Sequence, residues 1–249
     1  MTTTIAVAGK GGTGKTTLAG LLIRYLLQNK MGSVLAIDAD PSSNLHLVLG
    51  MELTKTVGDI REDSRTDVPQ GMARTDWLDY AIRTAIEEGD GVDLLAMGRP
   101  EGQGCYCAAN HLLRNIVDGI CKTYDFVVMD NEAGMEHLSR RTTRDVDYLV
   151  LVSDASLRGL VAAEAMLMLS RELEIHVGKI CLVVNRVNGK LSDEFRAKHD
   201  AMGVPLLATI QYDPQLVEFD ASRRPLAELP ADSSTSIAVT EIAQRLFAH

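Results

Sequence analysis

Aromatic residues are scarce in this chain. They make up 4% of its 249 residues, with one Trp, six Tyr and four Phe. That leaves few platforms for stacking single-stranded bases. An excess of positive charge is also missing. Lys and Arg number 25 against 34 Asp and Glu, a formal net charge of −9, which argues against the basic footprint of a nucleic-acid binder. Cysteine occurs only four times, and two of the four are separated by one residue, which argues against a disulfide framework. The longest strongly apolar run, Val146 to Val152, is interrupted by Asp147 and is too short to span a bilayer. Met1 to Ile5 lacks the basic start of a secretory signal, so a cytoplasmic location is expected. Hydrophobic residues at 46% and charged residues at 24% are ordinary globular proportions. A chain of this size buries roughly 70–75% of its unfolded surface and needs no metal to fold.

Apolar bursts alternate with helix-period segments, the pattern of an α/β fold with a mostly parallel central sheet flanked by helices on both faces. Strands are predicted at Ile5–Ala8, Val34–Ile37, Val92–Met97, Phe126–Met129, Tyr148–Val152, Lys179–Val184 and Leu206–Ile210. Helices are predicted over Thr16–Gln28, Asn110–Lys122, Leu160–Glu172, Asp213–Ser222 and Ser234–Ala248. Arg61 to Asp76, polar and carrying Pro69 and Gly71, reads as a surface excursion. No linker stands out, so residues 1–249 are expected to form one domain.

The strongest local signal is Gly9-Lys10-Gly11-Gly12-Thr13-Gly14-Lys15-Thr16, which satisfies G-x-x-x-x-G-K-[ST] between a predicted strand and a predicted helix. Glycines let the backbone curl so that several N–H groups meet one anion, and the helix N-terminus adds partial positive charge. Lys15 is expected to reach the β- and γ-phosphates of ATP or ADP, and the Thr16 hydroxyl to ligate Mg²⁺.

With Lys10 and Thr17 included, the loop resembles the deviant Walker A motif of the MinD/ParA/nitrogenase-iron-protein group of P-loop ATPases. The resemblance implies a P-loop NTPase fold in which Lys10 reaches across a homodimer to the partner's nucleotide, as an arginine finger would. Gly11, Gly12, Thr13, Gly14, Lys15, Thr16 and Thr17 would then form the nucleotide cradle. Asp38-Ala39-Asp40-Pro41 follows the second predicted strand, as the first switch does in that group. By that resemblance Asp40 positions or activates the attacking water and Asp38 supports the Mg²⁺ shell. Asp125 to Asp130 is similar to a Walker B strand, which implies that Asp130 holds Mg²⁺ through water and that Asn131 to Gly134 form the second switch. Asn185-Arg186 stands where an Asn of the family contacts the adenine ring.

Cys105-Tyr106-Cys107 precedes a predicted helix, where thiolates form readily. Two thiolates are half of the four that Zn²⁺ or an Fe–S cluster takes, which fits either an open site or one shared across a dimer. Cys121 and Cys181 fall on apolar faces and read as core. Gly98 to Arg114, which includes the pair, and Asp130 to Thr142 resemble the CooC family, the maturation ATPases of Ni,Fe carbon monoxide dehydrogenase, with relatives serving acetyl-CoA synthase. That resemblance implies an ATP-dependent dimer that binds one Ni²⁺ (Zn²⁺ in its place is also open) through Cys105 and Cys107 of each subunit and loads nickel into an apo-enzyme. His111 and His137 are favoured as capping or packing residues, and Glu132 and Glu136 as solvated switch residues.

Two other readings compete. A nitrogenase-iron-protein-like electron donor would need a cysteine in the second switch, and Asn131 to His137 has none. A MinD/ParA-like positioning ATPase would need a basic patch for DNA or a basic amphipathic tail for membrane. The basic residues are scattered, and Ser234 to His249 carries one Arg and one Glu, so neither nucleic acid nor membrane is expected as a partner.

Overall fold

The computed structural model describes residues 1–99, 107–131, 145–172, 176–222 and 224–247. Its strands are β1 (Thr3–Gly9), β2 (Val34–Ala39), β3 (Glu87–Glu88), β4 (Val92–Ala96), β5 (Phe126–Asn131), β6 (Asp145–Asp154), β7 (His176–Val187) and β8 (Leu206–Gln211). They form one sheet in the order β3-β4-β2-β5-β1-β6-β7-β8. Every pairing is parallel except the short β3–β4 ladder at one edge.

Strand alternation divides the core in two. Ile5 and Val7 of β1 point to one face, with Val34, Ala36, Val128, Val150 and Val183 of neighbouring strands. That face is covered by α1 (Lys15–Gln28), α2 (Leu45–Leu49), α8 (Pro214–Ser222) and α9 (Ser234–Phe247). Ala6 and Ala8 point the other way, with Leu35, Ile37, Met129, Leu151 and Val184. There α3 (Val57–Asp63), α4 (Arg74–Thr84), α5 (Cys107–Cys121), α6 (Leu157–Glu172) and α7 (Asp193–Met202) pack. A sheet covered on both faces explains why its strands read as continuous apolar runs. Among the described residues no helix is long and apolar enough to cross a membrane.

The predicted strands all appear, six of them lengthened by one to three residues at an end and β4 one residue shorter than expected. Arg61 to Asp76 needs correction: it is not wholly a surface excursion. Its start lies in α3 and its end in α4. A capping box closes the start of α3, with the Thr56 hydroxyl accepting from the Asp59 N–H and the Asp59 carboxylate accepting from the Thr56 N–H. Leu78 and Ile82, four residues apart, bury one face of α4. α7 is likewise unforeseen. Ser192 caps it and Phe195 and Met202 anchor it. The β3–β4 hairpin was too short to register as a period-two signal.

Because neighbouring strands run the same way, their carboxyl ends share one edge. Val7 pairs with Asp130, Asp38 with Asp130, Gly9 with Val152 and Asp154 with Asn185. The strand order turns at β1, with β2 to β5 on one side and β6 to β8 on the other, and open α/β sheets bind their ligands at the carboxyl ends of the strands at such a switch point. Gly9 is the tightest point of the exit from β1. A methyl group there would stand 2.2 Å from the Val152 carbonyl oxygen. That oxygen belongs to a paired central strand and cannot yield without bending the sheet. Gly9→Ala is therefore expected to lower stability by about 3 kcal/mol, measured by urea denaturation, whereas Gly11→Ala, with open space around the new methyl, stays within about 0.5 kcal/mol.

Candidate nucleotide site

The loop from Lys10 to Gly14 links β1 to α1. Two of its glycines, Gly12 (φ +79°) and Gly14 (φ +91°), occupy the left-handed region. Thr13 closes the turn: its N–H and its hydroxyl both donate to the Lys10 carbonyl, at 3.3 and 2.8 Å. α1 starts with no side-chain cap and no acidic residue in its first turn. Its first amides are therefore left for an anion, and the helix dipole adds to their pull. Lys15 opens the helix and is buried, while Lys10, Gly11 and Gly12 are exposed at the loop tip.

Beneath the loop lie two carboxyls on adjacent strand ends. Asp130 is 1% exposed, and burial pushes its pKa up to about 7. The Thr16 hydroxyl and the charge of Lys15 pull the other way, and Asp38 and Asp40 repel it. One of its oxygens, Oδ1, is buried without a hydrogen-bond partner. Asp38 is fully buried and raised to about 6, again chiefly by burial. Its two oxygens accept from the Leu45 N–H (2.8 Å) and the Asp40 N–H (3.1 Å), so Asp38 also shapes the loop that follows β2. Asp40 is half-buried at the start of that loop, and its carboxylate accepts from the Ser42 N–H at 2.8 Å. Ser43 completes the bend at φ +48°.

This donor set fits a hard divalent cation. A hydroxyl and two carboxyls of elevated pKa, one with an orphaned buried oxygen, are oxygen ligands in need of positive charge. The backbone also ties the same corner to β4, since the Met97 N–H donates to the Asp38 carbonyl at 2.8 Å.

β7 brings Asn185 and Arg186 onto the phosphate loop. The Asn185 amide donates to the Thr13 carbonyl (2.8 Å) and the Arg186 guanidinium to the Gly12 carbonyl (2.9 Å). No sequence signal announced these contacts, which span more than 170 residues. Asn131 also differs from its expected place. It ends β5, fully buried, and its amide donates to the Val7 carbonyl at 3.1 Å, so it ties β5 to β1.

Cys107 is the first residue of α5, three residues before the expected helix start. Its side chain, Cys105, and Glu132, Glu136 and His137 lie outside the described residues, as does the side chain of His111. Among the described residues no group of three or more His, Cys, Asp or Glu is arranged to hold a metal ion by itself. Cys121 and Cys181 are buried thiols, each pushed up to about 12 by burial, and serve as core.

The two raised carboxyls give stability a pH dependence of definite sign. Asp130 binds its proton more tightly folded (about 7) than unfolded (3.8). Its contribution is full below pH 4 and is lost as pH rises through 7. Asp130→Asn keeps the shape without the charge. It is expected to raise the melting temperature of the nucleotide-free, magnesium-free protein by about 5 °C at pH 8, and by progressively less as the pH is lowered to 4, where the shift vanishes. Equal shifts at both pH values, read by differential scanning calorimetry, would contradict this account.

Comparison with known proteins agrees with this architecture. The description "CobQ/CobB/MinD/ParA nucleotide binding domain" matches residues 4–226. An ATP-binding protein of Methanocaldococcus jannaschii, MJ0685, is 44% identical over 97% of both chains. The carbon monoxide dehydrogenase accessory protein CooC of Rhodospirillum rubrum is 34% identical over 74% of both. Among solved structures, the cell division ATPase MinD of Pyrococcus furiosus superposes with a TM-score of 0.72 at 23% identity, covering 99% of this chain and 98% of that one. The septum site-determining protein MinD of Pyrococcus horikoshii, in complex with Mg-ADP, gives 0.70 at 24% identity over 99% and 96%. A match across nine-tenths of the chain, on the fold and loop just described, makes this protein a member of the CobQ/CobB/MinD/ParA family of P-loop nucleotide-binding domains.

Proposed function

We propose that the chain, acting as one domain, is a Mg²⁺-dependent ATPase that works as a homodimer in the assembly of a nickel enzyme. The observation that carries the ATPase reading is the orphaned Asp130 oxygen, buried beside Thr16 and Asp38 directly under an anion-binding loop. A MinD relative of the same fold in complex with Mg-ADP supports it.

In this reading the loop amides and the start of α1 take the phosphates, and Lys15 adds charge from within the fold. Thr16, Asp130 and Asp38 hold Mg²⁺, directly or through water. When bound, Mg²⁺ offsets the phosphate charge and relieves the repulsion between the two carboxylates. Asp40, at the mouth of the first switch, orients the water that attacks the γ-phosphorus, giving ADP and phosphate. Lys10 is exposed at the loop tip, and in this reading it leaves its own site and serves the partner's nucleotide.

The nickel role rests on Cys105-x-Cys107 and on the likeness to CooC. Each chain offers two thiolates, and two chains meeting at these segments complete a four-thiolate site for Ni²⁺, or for Zn²⁺ in competition with it. The cation is cargo, and the client is Ni,Fe carbon monoxide dehydrogenase or acetyl-CoA synthase. The MinD and ParA neighbours favour a second reading, a positioning ATPase. ATP-dependent sedimentation with DNA or liposomes would favour it over the nickel role.

Lys15→Ala is expected to lose ATP binding. Asp40→Asn is expected to retain it and lose turnover by about a hundredfold or more, in line with removal of a group that acts only in the transition state. Wild-type hydrolysis by Asp40→Asn would remove Asp40 from the mechanism. Mixing Lys10→Ala with Asp40→Asn chains restores one functional site per mixed dimer if Lys10 acts in trans, and restores none if it does not.

Metal titration separates the nickel role from the positioning role. The expected stoichiometry is one Ni²⁺ per two chains, abolished in the Cys105→Ser/Cys107→Ser double variant. Nickel affinity in Asp40→Asn is expected to change when ATP is added, since both sites share one interface. One metal per chain, or an affinity indifferent to ATP, is incompatible with a shared site.

A further inference from the structure

Consecutive residues of a strand point to opposite faces. Asn185 and Arg186 do not. Both reach the same loop, and they take adjacent carbonyls on it, Thr13 and Gly12. Two features of the backbone make this convergence. The β7–β8 register is irregular between Val184 and Val187. Within that irregularity Arg186 stands at φ +55°, a conformation that residues with a side chain rarely take. A local bond sustains it: the Asn185 carboxamide oxygen accepts from the Arg186 N–H at 2.8 Å. Irregularities of this kind re-aim side chains beside functional sites, and a strained conformation persists only where its surroundings hold it.

The contact has a consequence for the loop. Carbonyl and N–H of one peptide plane point in opposite directions. Tying the Thr13 carbonyl to Asn185 turns the Gly14 N–H to the other side. Tying the Gly12 carbonyl to Arg186 does the same for the Thr13 N–H, which meets the Lys10 carbonyl and closes the turn. The fit at Gly14 is close, since a methyl there would stand 2.3 Å from the Asn185 amide nitrogen. The Arg186 charge also acts on Asp220 of α8.

We propose that Arg186 is a positioning residue for the phosphate loop: with Asn185 it holds the Gly12 and Thr13 carbonyls outward, and so presets the loop for any polyphosphate, whatever base follows. This rests on the nucleotide-binding reading above and differs from a base-contacting role, because it acts through the phosphates.

The test compares full-length wild type with Arg186→Gly and Arg186→Lys. Two probes are titrated in the presence of Mg²⁺: ATP, and inorganic tripolyphosphate in competition with a fluorescent ATP analogue. Melting temperature is recorded for each variant. Glycine takes the positive φ without strain, so Arg186→Gly removes the guanidinium and leaves the backbone path. It is expected to melt no lower than wild type, yet to bind ATP and tripolyphosphate more weakly by the same factor, about five- to tenfold. Arg186→Lys is expected to recover most of that loss, because an ammonium group also donates to the Gly12 carbonyl. Weaker ATP binding with unchanged tripolyphosphate binding would assign Arg186 to the base or ribose and overturn the proposal. Unchanged binding of both would overturn it as well, leaving the nucleotide reading intact. A wild-type chain that bound neither probe would overturn the nucleotide reading and this proposal together.

Discussion

Two carboxyls and an ammonium group are held where water does not reach them. Asp38 and Asp130 end adjacent strands at paired positions, and the charge of buried Lys15 acts on Asp130. Charge buried in this way is costly unless it is matched. The fold matches it only in part: Asp38 is satisfied by two amides of the following loop, Asp130 keeps an oxygen without a partner, and both pKa values rise. Much of the surrounding structure follows from this tension. The loop after β2 takes its course from Asp38. A cation at the carboxyls and an anion at the loop would each remove part of the imbalance, and would favour each other for the same reason.

The phosphate loop is shaped from outside as well as from within. Its glycines permit the curl, but permission is not selection, because a glycine-rich segment has many accessible shapes. Selection comes from the crowding of Gly9 against β6 and from the two donors at the end of β7. Side chains from β7 thus fix a backbone formed some 170 residues earlier. The corner of β2 is in turn bonded to Met97, just ahead of the segment that leads to the cysteine pair.

Some of this was readable from residues in order along the chain. Alternating apolar runs and helical periods specified the parallel sheet with helices on both faces, because burial on both sides leaves continuous apolar strands. The phosphate loop was legible because its chemistry is local: eight consecutive residues supply the curl, the lysine and the hydroxyl. Short or polar elements were not. α3 rests on a capping box, α4 on two buried residues, and the β3–β4 hairpin on two paired residues, each too little signal to rise above a polar background. What only the tertiary structure decided was pairing across distance. Sequence showed that Asp38 and Asp130 end strands; sheet register set them side by side, and burial then raised their pKa values. Sequence showed Asn185-Arg186 after an apolar run; a left-handed residue in an irregular ladder turned both onto the loop. Local chemistry is written in neighbouring residues, whereas desolvation and long-range hydrogen bonds exist only once the strands that carry them have been packed together.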